Sequence, residues 1–220
     1  MSYFKEQHLE SIVRPESILS ITLKKGRLIL GTEATIYSWD DQYMNYVWGL
    51  EAIDWSKVDS KKVLIIGMGL GAVIYILEKK FKIHPDFTAV EYDSDVIYFA
   101  KKYSLPRFKS NIRVIHVDGQ EYLLQSNDKF DLIVLDVCIE DVIPPGFETI
   151  ECMEAIRRNL NKNGVLLYNR FYSYYKDQYK TDKFFKNTFK QVFPEGYLLD
   201  QKGTCLLVND RNLLKESVVQ

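Results

Sequence analysis

The sequence predicts an α/β protein with a mainly parallel sheet, preceded by a small β-rich head. Three observations carry that expectation. Val63-Leu64-Ile65-Ile66 runs straight into Gly67-Met68-Gly69-Leu70-Gly71, and Ala72 to Lys80 then reads as a helix. This is the strand–turn–helix opening of a nucleotide-binding α/β unit, and an all-apolar strand suits a sheet covered on both faces. From residue 61 onward, apolar strand patterns alternate with helical ones. Before it, residues 18–37 fall into short β-rich pieces, set apart by the polar joint Asp59-Ser60-Lys61-Lys62. We therefore expect a head over residues 1–58 and an α/β domain over 59–220.

Composition bounds the class. The chain has 220 residues, 46% hydrophobic and 27% charged, as expected of a soluble globular protein with one sizeable core. Its net charge of −1 supplies no global field for nucleic acid or an anionic membrane. No run is apolar enough for a signal peptide or a membrane span. Cys138, Cys152 and Cys205 lack C-x-x-C spacing and read as reduced thiols of a cytoplasmic protein. His8, His84 and His116 are scattered, so no metal centre is expected.

In chain order, Ile18–Leu23 and Arg27–Gly31 form a hairpin around Lys24-Lys25-Gly26, with a third strand at Ala34–Tyr37. A helix follows Ser38-Trp39-Asp40-Asp41, placing Tyr43, Tyr46, Val47 and Leu50 on one face. After the glycine cluster and its helix, Phe87–Glu91 is a strand, and Asp93 or Ser94 caps a helix ending near Pro106. Ile112–Val117 is the next strand, followed by Asp118-Gly119 and a short helix through Tyr122 and Leu123. Phe130–Asp136 is a very apolar strand ending in a carboxylate. Pro144-Pro145-Gly146 opens a helix with Phe147, Ile150, Met153, Ile156 and Leu160 inward, stopped by Asn163-Gly164. Gly164–Asn169 is the fifth strand of the sheet. Lys176, Lys180, Lys183 and Lys190 mark the solvated face of a further helix, and two strands close the chain around Gln201-Lys202-Gly203.

The chemistry is expected where parallel strands end, because ligands bind beyond their carboxyl ends. Gly67 supports a tight reversal, Gly69 close approach of a ligand, and Gly71 close helix packing, although a plain strand-to-helix turn would use the same residues. Glu91 is placed to accept from two ribose hydroxyls. Asp118, with Gly119, can accept from an adenine amine or simply cap the following helix. Asp136 closes a buried strand, where an unpartnered carboxylate would be costly, and lies beside the reacting end of any ligand.

On these pieces, residues 61–208 resemble the spermidine synthase (polyamine aminopropyltransferase) family and, more broadly, class I S-adenosylmethionine-dependent transferases. Val63–Ala72 matches the glycine motif, Val90-Glu91-Tyr92-Asp93 the ribose acid, His116-Val117-Asp118-Gly119 the adenine contact, and Phe130–Asp136 the strand of the catalytic aspartate. The head resembles the family's amino-terminal domain, shortened. The resemblance implies a Rossmann-like class I methyltransferase fold with a seven-stranded, mainly parallel sheet whose last strand is antiparallel. It also implies S-adenosylmethionine or its decarboxylated form as co-substrate, an amine as small-molecule acceptor, and a homodimer. In that reading Gly67, Gly69, Gly71, Glu91, Asp118 and Gly119 bind the nucleoside and Asp136 is catalytic.

Three departures bear on specificity. Leu70 stands where the family has the aspartate that pairs with the donor's amine. Val137-Cys138-Ile139 follows Asp136, so the family's second aspartate is missing and only Glu140 and Asp141 lie near. Tyr43-Met44-Asn45 corresponds, out of register, to the family's acceptor-holding Tyr-Gln-Glu. The sequence thus leaves an aminopropyltransferase-like enzyme, a methyltransferase using intact S-adenosylmethionine, and a non-catalytic nucleoside-binding relative. A nicotinamide dehydrogenase also fits Gly67, Gly69 and Ala72 as G-x-G-x-x-A, but leaves Asp118 and Asp136 without a task.

Overall fold

A computed structural model describes residues 6–138, 142–201 and 203–219. Ile139, Glu140, Asp141 and Lys202, which figure in the expectations above, lie outside the described residues. The head is a four-stranded antiparallel sheet in the order β1 (Gln7–Val13), β2 (Ile18–Lys24), β3 (Arg27–Gly31), β4 (Ile36–Ser38). The β2–β3 hairpin turns on Lys25 (φ 50°) and Gly26 (φ 77°), the left-handed pair that a tight hairpin with twisted strands needs. Strand β1 has no legible strand pattern because Gln7, His8, Glu10 and Ser11 leave only Leu9, Ile12 and Val13 apolar. Its Glu10 reaches Tyr98, Lys102 and Tyr103.

That second sheet has seven strands in the order β10-β11-β9-β8-β5-β6-β7. They are β5 (Lys62–Ile66), β6 (Asp86–Glu91), β7 (Ile112–His116), β8 (Phe130–Leu135), β9 (Leu160–Phe171), β10 (Tyr197–Asp200) and β11 (Thr204–Val208). The five strands β5 to β9 are mutually parallel, and β11 runs antiparallel to β9. Strand alternation sorts the core into two layers. Leu64, Ile66, Ile133, Leu135, Leu166 and Tyr168 face one layer, and Val63, Ile65, Leu132, Val134, Val165 and Leu167 face the other.

Helix α1 (Met44–Ala52) buries Tyr46, Val47 and Leu50 against the large sheet rather than the head, and Gly49 gives Leu206 room to approach. Helix α2 (Ala72–Tyr75) continues through Phe81 with wider turns, and α3 (Ser94–Phe99) continues likewise to Ser104. Helix α4 spans Gly119–Gln125 and α5 Ile150–Asn159. The Thr149 hydroxyl caps α5 by accepting from Cys152 N at 3.1 Å. That phase turns Ile150 outward, 46% exposed, contrary to the inward expectation, and buries Cys152, Met153, Ala155 and Ile156. Asn163-Gly164 does not stop this helix: Leu160 already pairs with Phe130 at the start of β9. In α6 (Tyr175–Phe184) and its continuation to Val192, Lys190 leaves the solvated stripe and donates to Gly196 O at 3.1 Å. Among the described residues no helix is long and apolar enough to cross a membrane.

The head is fastened to the large domain beside the strand ends. Leu19, Ile21, Leu28 and Leu30 share an apolar cluster with Met68, Leu70, Val96 and Phe99. Around it, Arg14 bridges Asp93 at 2.8 Å and Asp95 at 2.9 Å. Glu10 takes Lys102 at 2.8 Å and the Tyr103 hydroxyl at 2.7 Å. Arg107 reaches the buried Asp40 at 2.8 Å.

Candidate active site

The chain enters the large sheet at β5, then adds β6 and β7 on one side and β8 and β9 on the other. Strand order therefore reverses between β5 and β8, where an open α/β sheet parts to admit a ligand. Gly67 and Asp136 face each other across that point. Asp136 N donates to Ile66 O at 2.9 Å. Gly67 has φ +83°, and a Cβ there would overlap the Asp136 carbonyl oxygen. Only glycine lets the two strand ends come this close.

The other residues expected at the site lie along the same rim. Glu91 pairs in register with His116, so Asp118, two residues further on, stands at the same end of the sheet. Glu91 Oε2 accepts from Gly69 N at 3.0 Å, and its Oε1 accepts from Tyr92 N and Asp93 N at 3.0 and 3.1 Å. Burial raises the Glu91 pKa, and the three N–H donors work against that rise. Asp118 does cap α4: its Oδ1 accepts from Gln120 N at 2.8 Å and Glu121 N at 3.0 Å. Capping and ligand contact are compatible, since both bonds use one oxygen. Gly119 is required by packing, because a Cβ would overlap Ile66 Cγ2. Gly71 begins α2 at φ +83°, closely packed by Ile74 and Phe108.

The glycine bend is half covered. Met68 and Leu70 are buried beneath the head, whereas Gly67 and Gly69 remain partly accessible. Leu70 is 1% exposed, so the position that lacks a carboxylate is spent on apolar packing. Beside Gly69 lies Ser38, whose buried hydroxyl has no hydrogen-bond partner among the described residues. Gly67 N and Met68 N donate to Val90 O, Gly69 N to Glu91 and Gly71 N to Met68 O. Most N–H groups of the bend itself are thus spent on backbone acceptors and on Glu91.

Around Asp136 the structure assembles residues that sequence reading did not bring together. Asn169 Nδ2 donates to Asp136 Oδ1 at 2.9 Å, and Asn45 Nδ2 donates to Asn169 Oδ1 at 3.0 Å. The hydroxyls of Tyr43 and Tyr46 come in from the start of α1. Burial pushes the Asp136 carboxyl up to about 6, against the pull of Asn169, Tyr43 and Tyr46. Burial and the Asp136 charge raise both tyrosine pKa values well above the ordinary range. Burial, with Asp136 and Glu91 nearby, pushes the Cys138 thiol up to about 12, so it stays protonated and is no nucleophile at neutral pH. Asn169 was within reach of sequence reasoning: it lies near the carboxyl end of β9, the strand after those that supplied the acids.

A family model described as the spermine/spermidine synthase domain matches residues 54–200. The chain belongs to that family. The polyamine aminopropyltransferase of Erwinia tasmaniensis is 34% identical over 115 residues, covering 49% of this chain and 39% of that protein. The aligned part thus spans well under half of that relative's length. Among solved structures, a spermidine synthase in complex with the transition-state analogue AdoDATO superposes with TM-score 0.66 at 19% identity, covering 92% of this chain and 72% of that one. Human methyltransferase-like protein 13 in complex with SAH superposes with TM-score 0.62 at 20% identity, covering 77% and 82%. At these identities the structural likeness speaks for the Rossmann-like methyltransferase fold.

Proposed function

We propose that this chain is a transferase that binds a sulfonium nucleoside at the rim of Gly67, Gly69, Gly71, Glu91, Asp118 and Gly119 and passes its aminopropyl group to an amine. Family membership supports this reading. One observation carries the chemistry: a buried carboxyl, Asp136, at the strand-order reversal, raised to about 6 with only neutral donors around it.

In the reaction, a neutral amine nitrogen attacks the carbon bound to sulfur. A C–N bond forms, the C–S bond breaks, and its electron pair returns to sulfur, which leaves as an uncharged thioether. The leaving group needs no proton, so catalysis rests on positioning the amine and excluding water. Asp136, ionised above pH 6, orients the amine and takes up the proton released from nitrogen. Glu91 accepts the ribose hydroxyls and the second oxygen of Asp118 the adenine amine, so both hold rather than react.

The reading with decarboxylated S-adenosylmethionine as donor is tested by titration calorimetry with that compound, intact S-adenosylmethionine and methylthioadenosine, followed by an amine-transfer assay. We expect heat from all three and turnover with the decarboxylated donor. No heat with any of them ends the proposal. The buried, apolar setting of Leu70 supports a second reading, methyl transfer from intact S-adenosylmethionine, because no carboxylate stands there to repel the methionine carboxylate. Tighter binding of the intact donor, with methyl rather than aminopropyl product, selects it.

A further inference from the structure

We propose that Asn45 and Asn169 are positioning residues that hold the Asp136 carboxylate through a one-way pair of amide hydrogen bonds. The proposal builds on the reading of Asp136 as the group that receives the proton. The three residues come from distant places: the first turn of α1, the carboxyl end of β9, and the residue after β8. Asn45 is 9% exposed, and its amide nitrogen is spent on Asn169.

The direction of the pair follows from what each group can do. An ionised carboxylate only accepts, so Asn169 must turn its NH2 toward Asp136, as it does at 2.9 Å. That leaves the Asn169 carbonyl for its other neighbour, and Asn45 must then present NH2, as it does at 3.0 Å. Each amide has one acceptable orientation while Asp136 is charged. A protonated Asp136 can donate, and the constraint lapses. Asn45 therefore senses the charge on Asp136 without touching it.

The remaining groups around Asp136 make this coupling count. Tyr43 and Tyr46 contribute hydroxyls from α1 and the residue preceding it. Cys138 comes from the loop after β8, and Glu91 from β6 adds a like charge that opposes ionisation. Among the described residues no cation pairs with Asp136, and the largest influences on it are burial, neutral donors and the Glu91 charge. Neutral donors alone must hold the anion, and the donor from Asn169 is oriented from behind by Asn45.

The test needs neither donor nor acceptor, so absent turnover would count against the proposed function and leave this test standing. The intact chain, labelled with 15N at asparagine side chains, is titrated by NMR from pH 4 to 8. The side-chain signals of Asn169 and Asn45 should move together with one midpoint, near the Asp136 value of about 6. In Asn45→Asp, position 45 can only accept, which turns the Asn169 carbonyl toward Asp136. The midpoint should then rise by about one pH unit, and by less in Asn45→Ala. Asn45→Asp also adds a like charge, so Asn45→Ala decides: a merely structural role would lower its melting temperature and leave its midpoint in place. The proposal is overturned if the wild-type Asn45 signal ignores the Asp136 titration, a result that requires no variant to fold. It is equally overturned if a folded Asn45→Ala titrates like the wild type.

Discussion

Strand β8 has an aspartate near each end, and the structure treats the two in opposite ways. Asp131 is 5% exposed and saturated: one oxygen accepts Lys61 N and Lys62 N at 3.0 Å each, and the other accepts the Asn161 amide. Asp136, just past the other end, faces neutral side-chain donors only, and burial pushes its carboxyl to about 6. Backbone donors cannot move away, so Asp131 is a joint that ties β5, β8 and β9 together at the amino end of the sheet. Asp136 keeps a proton affinity that suits exchange near neutral pH. What decides an acid's role here is what its lone pairs are given, and residue type or burial alone does not reveal it.

The largest effects should come from exchanging the two treatments. Asp136→Asn should cut transfer about 100-fold or more while leaving nucleoside binding within a few-fold. Asp131→Ala should leave turnover per folded molecule unchanged and lower stability to denaturant by about 1–3 kcal/mol, because it strands two backbone N–H groups and an amide. A fully active Asp136→Asn, or an inactive but folded Asp131→Ala, breaks the contrast.

The same contrast has a pH signature. The native state binds the Asp136 proton more tightly than the unfolded chain does, with pKa about 6 against 3.8. Its neutral form therefore favours folding at low pH, and this contribution is lost as pH rises through 6. The melting temperature of Asp136→Asn should accordingly exceed that of the wild type at pH 8, and the gap should narrow between pH 6 and 4. Transfer by the wild type should rise over that same interval as Asp136 ionises.

A stability loss comparable to that of Asp131→Ala is expected from Gly67→Ala, which places a Cβ at φ +83° against the Asp136 carbonyl. We expect a loss of about 1–3 kcal/mol, read from the unfolding midpoint, and weaker nucleoside binding. The smallest change in stability should come from Asp118→Asn. Asparagine caps a helix as well as aspartate, so the loss should stay under about 0.5 kcal/mol. Any several-fold fall in nucleoside affinity measured by calorimetry then reports on the oxygen that capping leaves free.

Much of the frame was legible before any coordinates. Val63–Ile66 and Leu132–Leu135 announce central strands because both faces of each are buried, which leaves a continuous apolar run. The glycine bend, Glu91, Asp118 and Asp136 follow from where parallel strands end. Strand β1 was hidden because its polar residues leave only Leu9, Ile12 and Val13 apolar, and its Glu10 serves Lys102 and Tyr103 across the molecule. Ile150 was misplaced because its phase depends on the Thr149 cap. The pairing of Asn45 with Asn169 was hidden for a simpler reason: 124 residues separate them, and neither asparagine carries a local sign of its partner.

The succession of strands and helices, the position of the glycine bend and the residues that carry the family resemblance were thus legible in the chain itself, since periodicity and turn chemistry act over a few neighbours. Tertiary structure alone decided which acid is tied to backbone donors and which faces side chains, and what surrounds the latter. Those properties depend on donors delivered from α1, β8 and β9 to one point, and the free energy of a buried charge is set by that local company.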